Sequence, residues 1–212
     1  PAAYAKWYGH EHHALELQQE AVYGLVEIYR RDIKKARLVA NPGCYTSCAI
    51  LPIVPLLKAK AIEPDEIVVD AKSGMTGAGR AAKEEMLFSE VSEGFHAYGV
   101  GHHRHMAELD QEFSKAVGRE VIVSFTPHLV PMNRGILATC SATARPGVGD
   151  DDLVGLAAFA VMDRFGQMFA VGKRHRDVRA RIKPRAHGAP VAVRVGNVVI
   201  EAILAGVLAD AG

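Results

Sequence analysis

Short apolar runs of strand length alternate with longer stretches of helical pattern along this chain of 212 residues. The runs that we assign to strands are residues 38–40, 66–71, 121–125 and 136–143. The helical patterns are residues 14–30, interrupted at Gly24, and then 46–61, 80–88, 106–117 and 150–165. Because strands and helices alternate instead of forming separate blocks, the pattern predicts an α/β or α+β fold.

Proline and charge modify this pattern in three places. Pro52 and Pro55 lie inside the helical stretch 46–61, and proline lacks the N–H of a helical hydrogen bond. We therefore expect a kink there, or a helix that begins near Pro52. The segment 30–37 is mostly charged and is expected to be a solvated connection. The segment 126–135 contains two prolines and is expected to be either a substrate loop or a hairpin-like connection.

Composition and charge exclude several classes of function. Hydrophobic residues make up 49% and charged residues 23%, as in ordinary globular domains. The 25 basic and 24 acidic residues nearly cancel, so no long-range field gathers nucleic acid or an anionic membrane. Membrane spanning takes about 20 apolar residues, which no run provides, and the first residues lack the layout of a secretory signal. We expect a soluble, cytoplasmic protein with reduced cysteines.

One segment is strongly basic. Residues 171–185 include five arginines but no aromatic residue on which a nucleic-acid base could stack. A run of charges is more often a solvated face than a binding site. We therefore expect no nucleic-acid partner and assign no role to this segment.

Cys44 occupies a turn that favours a nucleophilic thiol. It follows Asn-Pro-Gly and precedes a predicted helix, so the positive end of the helix dipole is expected to favour the thiolate. Gly43 allows a substrate carbonyl to approach the backbone closely. The turn alone is not decisive, because a cysteine is often a small buried residue. We expect that simpler role for Cys48 and Cys140, which lie within apolar patterns.

A histidine-rich segment supplies candidates for the base that such a thiol needs. Residues 101–105 follow a Gly-rich loop and read Gly-His-His-Arg-His. Glu108 lies five residues after His103, close enough for its carboxylate to orient the imidazole. Metal binding is the alternative, with a second histidine cluster at 10–13. Neither cluster has Cys-x-x-Cys or His-Glu-x-x-His spacing, so we expect no metal site.

Four segments, in this order, are similar to the signatures of one known family. They are 41–45 (NPGCY), 69–74 (VDAKSG), 103–105 (HRH) and 125–135 (FTPHLVPMNRG). From residue 1 to about 153 the chain resembles the N-acetyl-gamma-glutamyl-phosphate reductase family. The resemblance implies a glyceraldehyde-3-phosphate-dehydrogenase-like C-terminal domain, with helices packed on a mixed, largely antiparallel sheet. It also implies NADP(H) as cofactor and assembly as a homodimer or homotetramer.

The family's reaction is the reduction of N-acetylglutamyl 5-phosphate, a small acyl phosphate, to the semialdehyde in arginine biosynthesis. The resemblance implies that Cys44 forms a thioester with the acyl carbon. It implies that His103 accepts the thiol proton and that Glu108 orients His103. A reductase of a longer or carrier-linked acyl phosphate, as in a lysine route, is the alternative, because pocket shape decides substrate length.

The same resemblance suggests binding residues. Arg104, Arg134 and Asn41 are expected to bind the substrate, since a guanidinium suits both carboxylate and phosphate. Ser73 and Gly74 resemble the family's segment near the nicotinamide. The chemistry of that turn is equally consistent with a simple connection from strand to helix.

The resemblance also divides the chain. Residues 1–40 resemble the end of an NADP-binding domain, residues 41–153 a catalytic and dimerisation domain, and residues 154–212 form a divergent tail. The Gly-rich loop of a Rossmann half is not present among them. We therefore expect a truncated chain, and a third alternative is an inactive fragment that folds and dimerises.

Overall fold

The computed structural model describes residues 2–79, 83–84, 87–159, 172–173, 193–195 and 198–204. The helices are α1 (Ala2–Tyr8), α2 (Leu15–Glu20), α3 (Val26–Ile33), α4 (Cys44–Lys58), α5 (Phe88–Val91), α6 (His105–Val117) and α7 (Asp150–Phe159). A 3-10 turn spans Met75–Ala78. The strands are β1 (Val22–Tyr23), β2 (Val39–Ala40), β3 (Val68–Ser73), β4 (His96–Ala97), β5 (Ser124–Leu129), β6 (Ile136–Ala142), β7 (Gly172–Lys173), β8 (Val193–Val195) and β9 (Val198–Leu204). In the described part of the chain, every helix is too short or too polar to cross a bilayer.

Among the described residues, seven strands form one sheet in the order β4-β5-β3-β6-β9-β8-β7. The pairs β3–β5 and β7–β8 are parallel. The pairs β3–β6, β4–β5, β6–β9 and β8–β9 are antiparallel. Helix α4 packs against β6, β9, α6 and α7. The prediction of a mixed, largely antiparallel sheet with helices packed on it is confirmed.

The sheet buries one of its two faces. Side chains alternate between buried and half-exposed along β3, β5 and β6, as the period of two in a strand requires. The buried face lies under α4, which is apolar on several sides and contributes Ile50, Ile53 and Leu56 to the core. We call the other face the open face. Its half-exposed residues on β3, β5 and β6 are Asp70, Lys72, Thr126, His128, Leu137, Thr139 and Ser141.

Helix α4 begins at Cys44, so the prediction that it starts near Pro52 is wrong. The helix is continuous through Pro52 and Pro55. Proline costs a helical hydrogen bond, but ten buried residues of α4 pack in the core, and that burial outweighs the loss. The helix ends where Lys60 takes a positive φ of 55°, a conformation that closes a helix C-terminus.

Two predicted connections are also wrong. Helix α3 continues to Ile33, so the first part of the segment 30–37 is helical. Strand β5 extends through Pro127 to Leu129, and β3 lies between β5 and β6, so the segment 126–135 is not hairpin-like. Pro127 is tolerated because it pairs with Tyr98 only through its carbonyl, which accepts the Tyr98 N–H at 3.0 Å.

Other predictions are close to the structure. Helix α6 and strand β6 each lie within one residue of their predicted bounds. The predicted helix 14–30 is instead two helices, α2 and α3, separated by β1, which pairs in parallel with β2. Most of the predicted helix 80–88, the end of the helix 150–165 and most of the basic segment 171–185 lie outside the described residues.

Candidate active site

Cys44 is the first residue of α4, and its side chain is exposed. The backbone N–H groups of Tyr45 and Cys44 itself donate toward its sulfur, as expected at a helix N-terminus. Partial burial of the sulfur nevertheless raises the pKa of the Cys44 thiol, and the charge of Glu108 adds to this. Those N–H groups and Arg104 lower the pKa, but burial outweighs them. The N-terminus of α4 thus favours the thiolate as predicted, but partial burial opposes it more strongly, and the net shift of the Cys44 pKa is upward.

Glu108 binds the start of α4. Its Oε2 accepts hydrogen bonds from the Gly43 N–H at 3.1 Å and from the Tyr23 hydroxyl at 2.7 Å. Thr46 Oγ1 lies 3.1 Å from the same oxygen and 2.6 Å from the Gly43 carbonyl oxygen. These bonds tie the carboxylate to the turn that carries Cys44, and its charge also acts on His103, so the role of Glu108 in orienting His103 stays a prediction.

Two imidazoles lie beside that turn. The His105 ring packs so closely on Gly43 that a Cβ there would lie 2.5 Å from Nε2. His103 contacts the His105 ring with 4.6 Å between centroids, and its Nδ1 accepts the His105 N–H at 3.2 Å. Burial lowers the pKa of each histidine to about 4, with help from the nearby charge of Arg104. Both imidazoles are therefore neutral at pH 7 and able to accept a proton.

A pair of tyrosines forms the adjacent wall. The Tyr98 hydroxyl lies 3.0 Å from the Tyr45 hydroxyl, which donates to the His128 carbonyl at 3.1 Å. The His103 ring contacts both phenol rings, with centroids 5.6 and 5.8 Å away. Burial raises the pKa of both tyrosines, so they remain neutral donors. These contacts place Tyr45 between the two imidazoles and the end of β5.

The predicted substrate residues Arg104 and Asn41 are both exposed. Arg104 is exposed, and its charge lowers the pKa values of Cys44, His103 and His105, so it acts on the same region. Its guanidinium lies 6.0 Å from the centre of the Tyr8 ring. Asn41 is exposed, three residues before Cys44.

The turn after β3 contains the predicted cofactor residues. Ser73 is buried, and its hydroxyl donates to the Gly74 carbonyl at 3.0 Å and lies near the Tyr45 phenol. A Cβ on Gly74 would lie 2.8 Å from the Arg134 nitrogen and 2.8 Å from the Met132 carbonyl oxygen. Gly74 is therefore needed for the close approach of these two backbone segments. Arg134 is placed by that approach, and its side chain is exposed.

Sequence reasoning missed several residues of this site. Tyr23, Thr46, Tyr45 and Tyr98 were assigned no role, and His105 was one member of a cluster in which His103 was preferred. The predicted helix 106–117 already placed His105 next to a helix start, but only the packing on Gly43 shows how near it lies to the Cys44 turn. Among the described residues, no three His, Cys, Asp or Glu side chains come together as a possible metal site.

Comparisons with known proteins identify relatives in sequence and in fold. The sequence profile of a family described as semialdehyde dehydrogenase, dimerisation domain, matches residues 44–167. A protein of Afipia carboxidovorans named N-acetyl-gamma-glutamyl-phosphate reductase is 80% identical over 153 residues, which cover 72% of this chain and 44% of that protein. The protein of the same name from Rhodospirillum rubrum is 63% identical over 147 residues, covering 69% and 42%. A third, from Alkaliphilus metalliredigens, is 42% identical over 210 residues, covering 94% and 61%.

The chain thus spans about half the length of the curated relatives that it matches. Solved structures show the same fold at low sequence identity. Aspartate semialdehyde dehydrogenase from Francisella tularensis has a TM-score of 0.59 at 12% identity, with 89% of this chain and 67% of that chain covered. Aspartate semialdehyde dehydrogenase II from Vibrio cholerae has a TM-score of 0.58 at 13% identity, with 88% and 63% covered.

Proposed function

This chain belongs to the family of the semialdehyde dehydrogenase dimerisation domain, and we propose that it performs the thiol chemistry of an acyl-phosphate reductase. The proposed reaction converts N-acetylglutamyl 5-phosphate to N-acetylglutamate 5-semialdehyde and phosphate, through a thioester on Cys44, in arginine biosynthesis. The names of relatives up to 80% identical support this substrate. The observation that carries the proposal is an exposed thiol at a helix N-terminus beside two neutral imidazoles.

Acylation would use only groups of this chain. Cys44 Sγ forms a bond to the acyl carbon, the bond from that carbon to the phosphate oxygen breaks, and phosphate leaves. The thiol proton passes to an imidazole, for which we propose His103, with His105 as its neighbour. A neutral imidazole is required because the thiol is protonated at rest and its proton needs an acceptor.

The N-terminus of α4 would also stabilise the anion that develops on the acyl oxygen. The N–H groups of Cys44 and Tyr45 donate toward the sulfur, and we propose that they also donate to the acyl oxygen of the bound substrate. Arg104 is proposed to bind the carboxylate or phosphate of the substrate, because its charge acts on Cys44 and both histidines. Asn41 and Arg134 remain proposed substrate contacts.

NADP(H), when bound, would supply the hydride that converts the thioester to the aldehyde. We expected the turn after β3 to lie near the nicotinamide. Its Ser73 hydroxyl, however, donates to the Gly74 carbonyl, and the backbone of Met132 and Arg134 covers Gly74. The side chains at this turn therefore do not fit a direct contact with the cofactor, and no step is assigned to them. Cofactor binding by this chain stays a prediction.

We also propose that the protein is a cytoplasmic homo-oligomer. The name of the matched family, a dimerisation domain, supports self-association. The open face of the sheet is half-exposed in a single chain and is the surface that we propose for it. This proposal is independent of the substrate.

Acyl transfer is tested by mixing the chain with synthetic N-acetylglutamyl 5-phosphate and measuring the intact mass. We expect an N-acetylglutamyl adduct on Cys44 and an equal release of phosphate, both absent in Cys44→Ser. A longer acyl phosphate, tested in parallel, separates the two substrate classes. Acylation of Cys44 by the longer compound alone would favour the alternative reductase. No adduct with either compound would contradict the proposal and favour an inactive fragment.

A further inference from the structure

Tyr23 lies on β1, far from Cys44 in sequence, yet it is bonded to the group that holds the Cys44 turn. Its hydroxyl donates to Glu108 Oε2 at 2.7 Å across a separation of 85 residues. Glu108 Oε2 accepts the Gly43 N–H, and Thr46 Oγ1 donates to the Gly43 carbonyl. Both backbone polar groups of the residue before Cys44 are therefore held by one small network.

We propose that Tyr23 is a positioning residue for Cys44, acting through Glu108 on the first turn of α4. The inference rests on the proposed function only in taking Cys44 as the nucleophile. Because β1 precedes the matched dimerisation domain, which begins at residue 44, the bond ties the N-terminal segment to the reactive end of α4. The N-terminal segment thereby sets the position of the sulfur.

The chemistry of the three partners supports this role. Burial raises the pKa of Tyr23, so its hydroxyl keeps its proton and donates throughout the physiological range. The phenol donor fixes the Glu108 carboxylate in one place through a short hydrogen bond. Thr46 is fully buried, so its hydroxyl has no solvent to bind and stays within the network. The carboxylate is therefore held at the Gly43 N–H.

Release of the carboxylate has a definite consequence for the thiol. The charge of Glu108 raises the pKa of Cys44, whereas Arg104 and the N–H groups of Cys44 and Tyr45 lower it. If Glu108 moves away or becomes neutral, the thiol ionises at lower pH. The sulfur is at the same time less firmly placed for reaction with a bound substrate. We therefore expect alkylation by small reagents to become faster and acylation by the substrate to become slower.

The chain contains a matched control for Tyr23. Tyr29 donates to Glu112 Oε2, so it also joins the N-terminal segment to α6 through a phenol and a carboxylate. Glu112 lies one turn after Glu108 on α6, and its other partners are Gln111 and Lys115. Removal of the Tyr29 hydroxyl therefore costs a similar bond without touching the turn that carries Cys44.

The experiment compares Tyr23→Phe with Tyr29→Phe in the 212-residue chain. Iodoacetamide alkylation of Cys44 is followed by mass spectrometry from pH 6 to pH 10, and thermal melting checks that both variants fold. We expect Tyr23→Phe to alkylate about 3- to 10-fold faster at pH 7, because a larger share of the Cys44 thiol is then ionised. Acylation by N-acetylglutamyl 5-phosphate should become slower. Tyr29→Phe should match the wild type in both assays, and equal profiles for all three proteins would overturn the proposal.

A second variant tests the route through Glu108 and covers the case in which Tyr23→Phe does not fold. Glu108→Gln removes the charge and should accelerate alkylation at pH 7 by itself. Adding Tyr23→Phe to it should change the rate no further, because the Glu108 charge through which Tyr23 affects the thiol is gone. An unchanged rate in Glu108→Gln, or an additive effect in the double variant, contradicts the inference. Because alkylation needs no substrate, a chain that is never acylated would count against the proposed function alone.

Discussion

Among single residues, burial mainly determines the protonation states of Cys44 and of its two neighbours, His103 and His105. Burial disfavours the charged form of each group, and it therefore raises the pKa of the thiol and lowers that of both imidazoles. The resting pair is a neutral thiol beside neutral bases, instead of a thiolate beside an imidazolium. Such a pair becomes reactive only when a substrate or a charge assists proton transfer.

The pH dependence of alkylation follows from the raised pKa. The thiolate is the reactive form, and a raised pKa leaves less of it at neutral pH. We expect the rate of Cys44 alkylation by iodoacetamide to rise with pH through an inflection above the roughly 8.5 of an ordinary cysteine. Cys44→Ser supplies the background rate of the buried Cys48 and Cys140. An inflection below the ordinary value would show that the helix N-terminus outweighs burial after all.

The buried histidines make stability depend on pH. The unfolded chain carries imidazoles of ordinary pKa, about 6.5, whereas both pKa values are about 4 in the folded protein. Between these values the unfolded state binds more protons, so the free energy of unfolding falls as pH decreases from about 6.5 toward 4. We expect this fall in the free energy of unfolding to be about 1–2 kcal/mol smaller in His105→Asn than in the wild type. The figure allows for the partial exposure of His105.

Urea unfolding at pH 7 and pH 5 measures that difference. The control is His102→Asn, since His102 is exposed and lies in the same segment. It should keep the full dependence of the wild type. If His105→Asn and the wild type lose equal stability between the two pH values, His105 is not held neutral by the fold.

At the scale of elements, two backbone segments approach each other closely at the turn after β3. Segment 130–135 crosses this turn, where the Gly74 N–H donates to the Gly135 carbonyl at 2.9 Å and the Met75 N–H to the Met132 carbonyl at 2.9 Å. Segment 130–135 connects β5 to β6 and passes over the end of β3. Ser73, at that end of β3, lies near the Tyr45 phenol. The position of Tyr45 thus depends on the close approach of segment 130–135 to the turn after β3.

Gly74→Ala tests that dependence. The new Cβ would lie 2.8 Å from two backbone atoms, which cannot rotate away. We expect a loss of about 2 kcal/mol in the free energy of unfolding, measured with urea. Gly94→Ala is the matched control, because nothing lies within 4 Å of its Cβ position, and it should change stability by less than about 0.5 kcal/mol. Equal stability of the two variants would mean that the crossing adjusts freely.

At the scale of the whole molecule, we propose that the open face of the sheet is the surface of assembly. It is centred on β6, the fourth strand of seven in the described sheet, with Thr139 in the middle of that strand. We expect the wild type to sediment at twice the mass of the chain. Thr139→Arg places a long charged side chain at the centre of the proposed interface and should produce monomers, because burying an unpaired charge is costly. Glu120→Arg, an exposed change outside the sheet, should leave the mass unchanged. A dimeric Thr139→Arg protein would place the interface elsewhere.

The sequence by itself determined the features that depend on neighbouring residues. Helix α6 was found within one residue because its helical pattern is local. Strand β6 was found in the same way. The turn before Cys44 was recognised because Asn-Pro-Gly restricts the backbone wherever it occurs. The resemblance then identified the mixed sheet and the family, and it was followed to about residue 153, whereas the family match extends to residue 167.

Only the tertiary structure decided the features that depend on distant residues. The partner of Glu108 is Tyr23, 85 residues away, and no local spacing predicts it. The start of α4 depends on burial that outweighs two prolines, and the place of β5 beside β3 depends on a sheet formed from the whole described chain. The direction of the Cys44 pKa shift also had to come from the structure. A helix dipole can be read from adjacent residues, but desolvation is set by every group that packs around the sulfur.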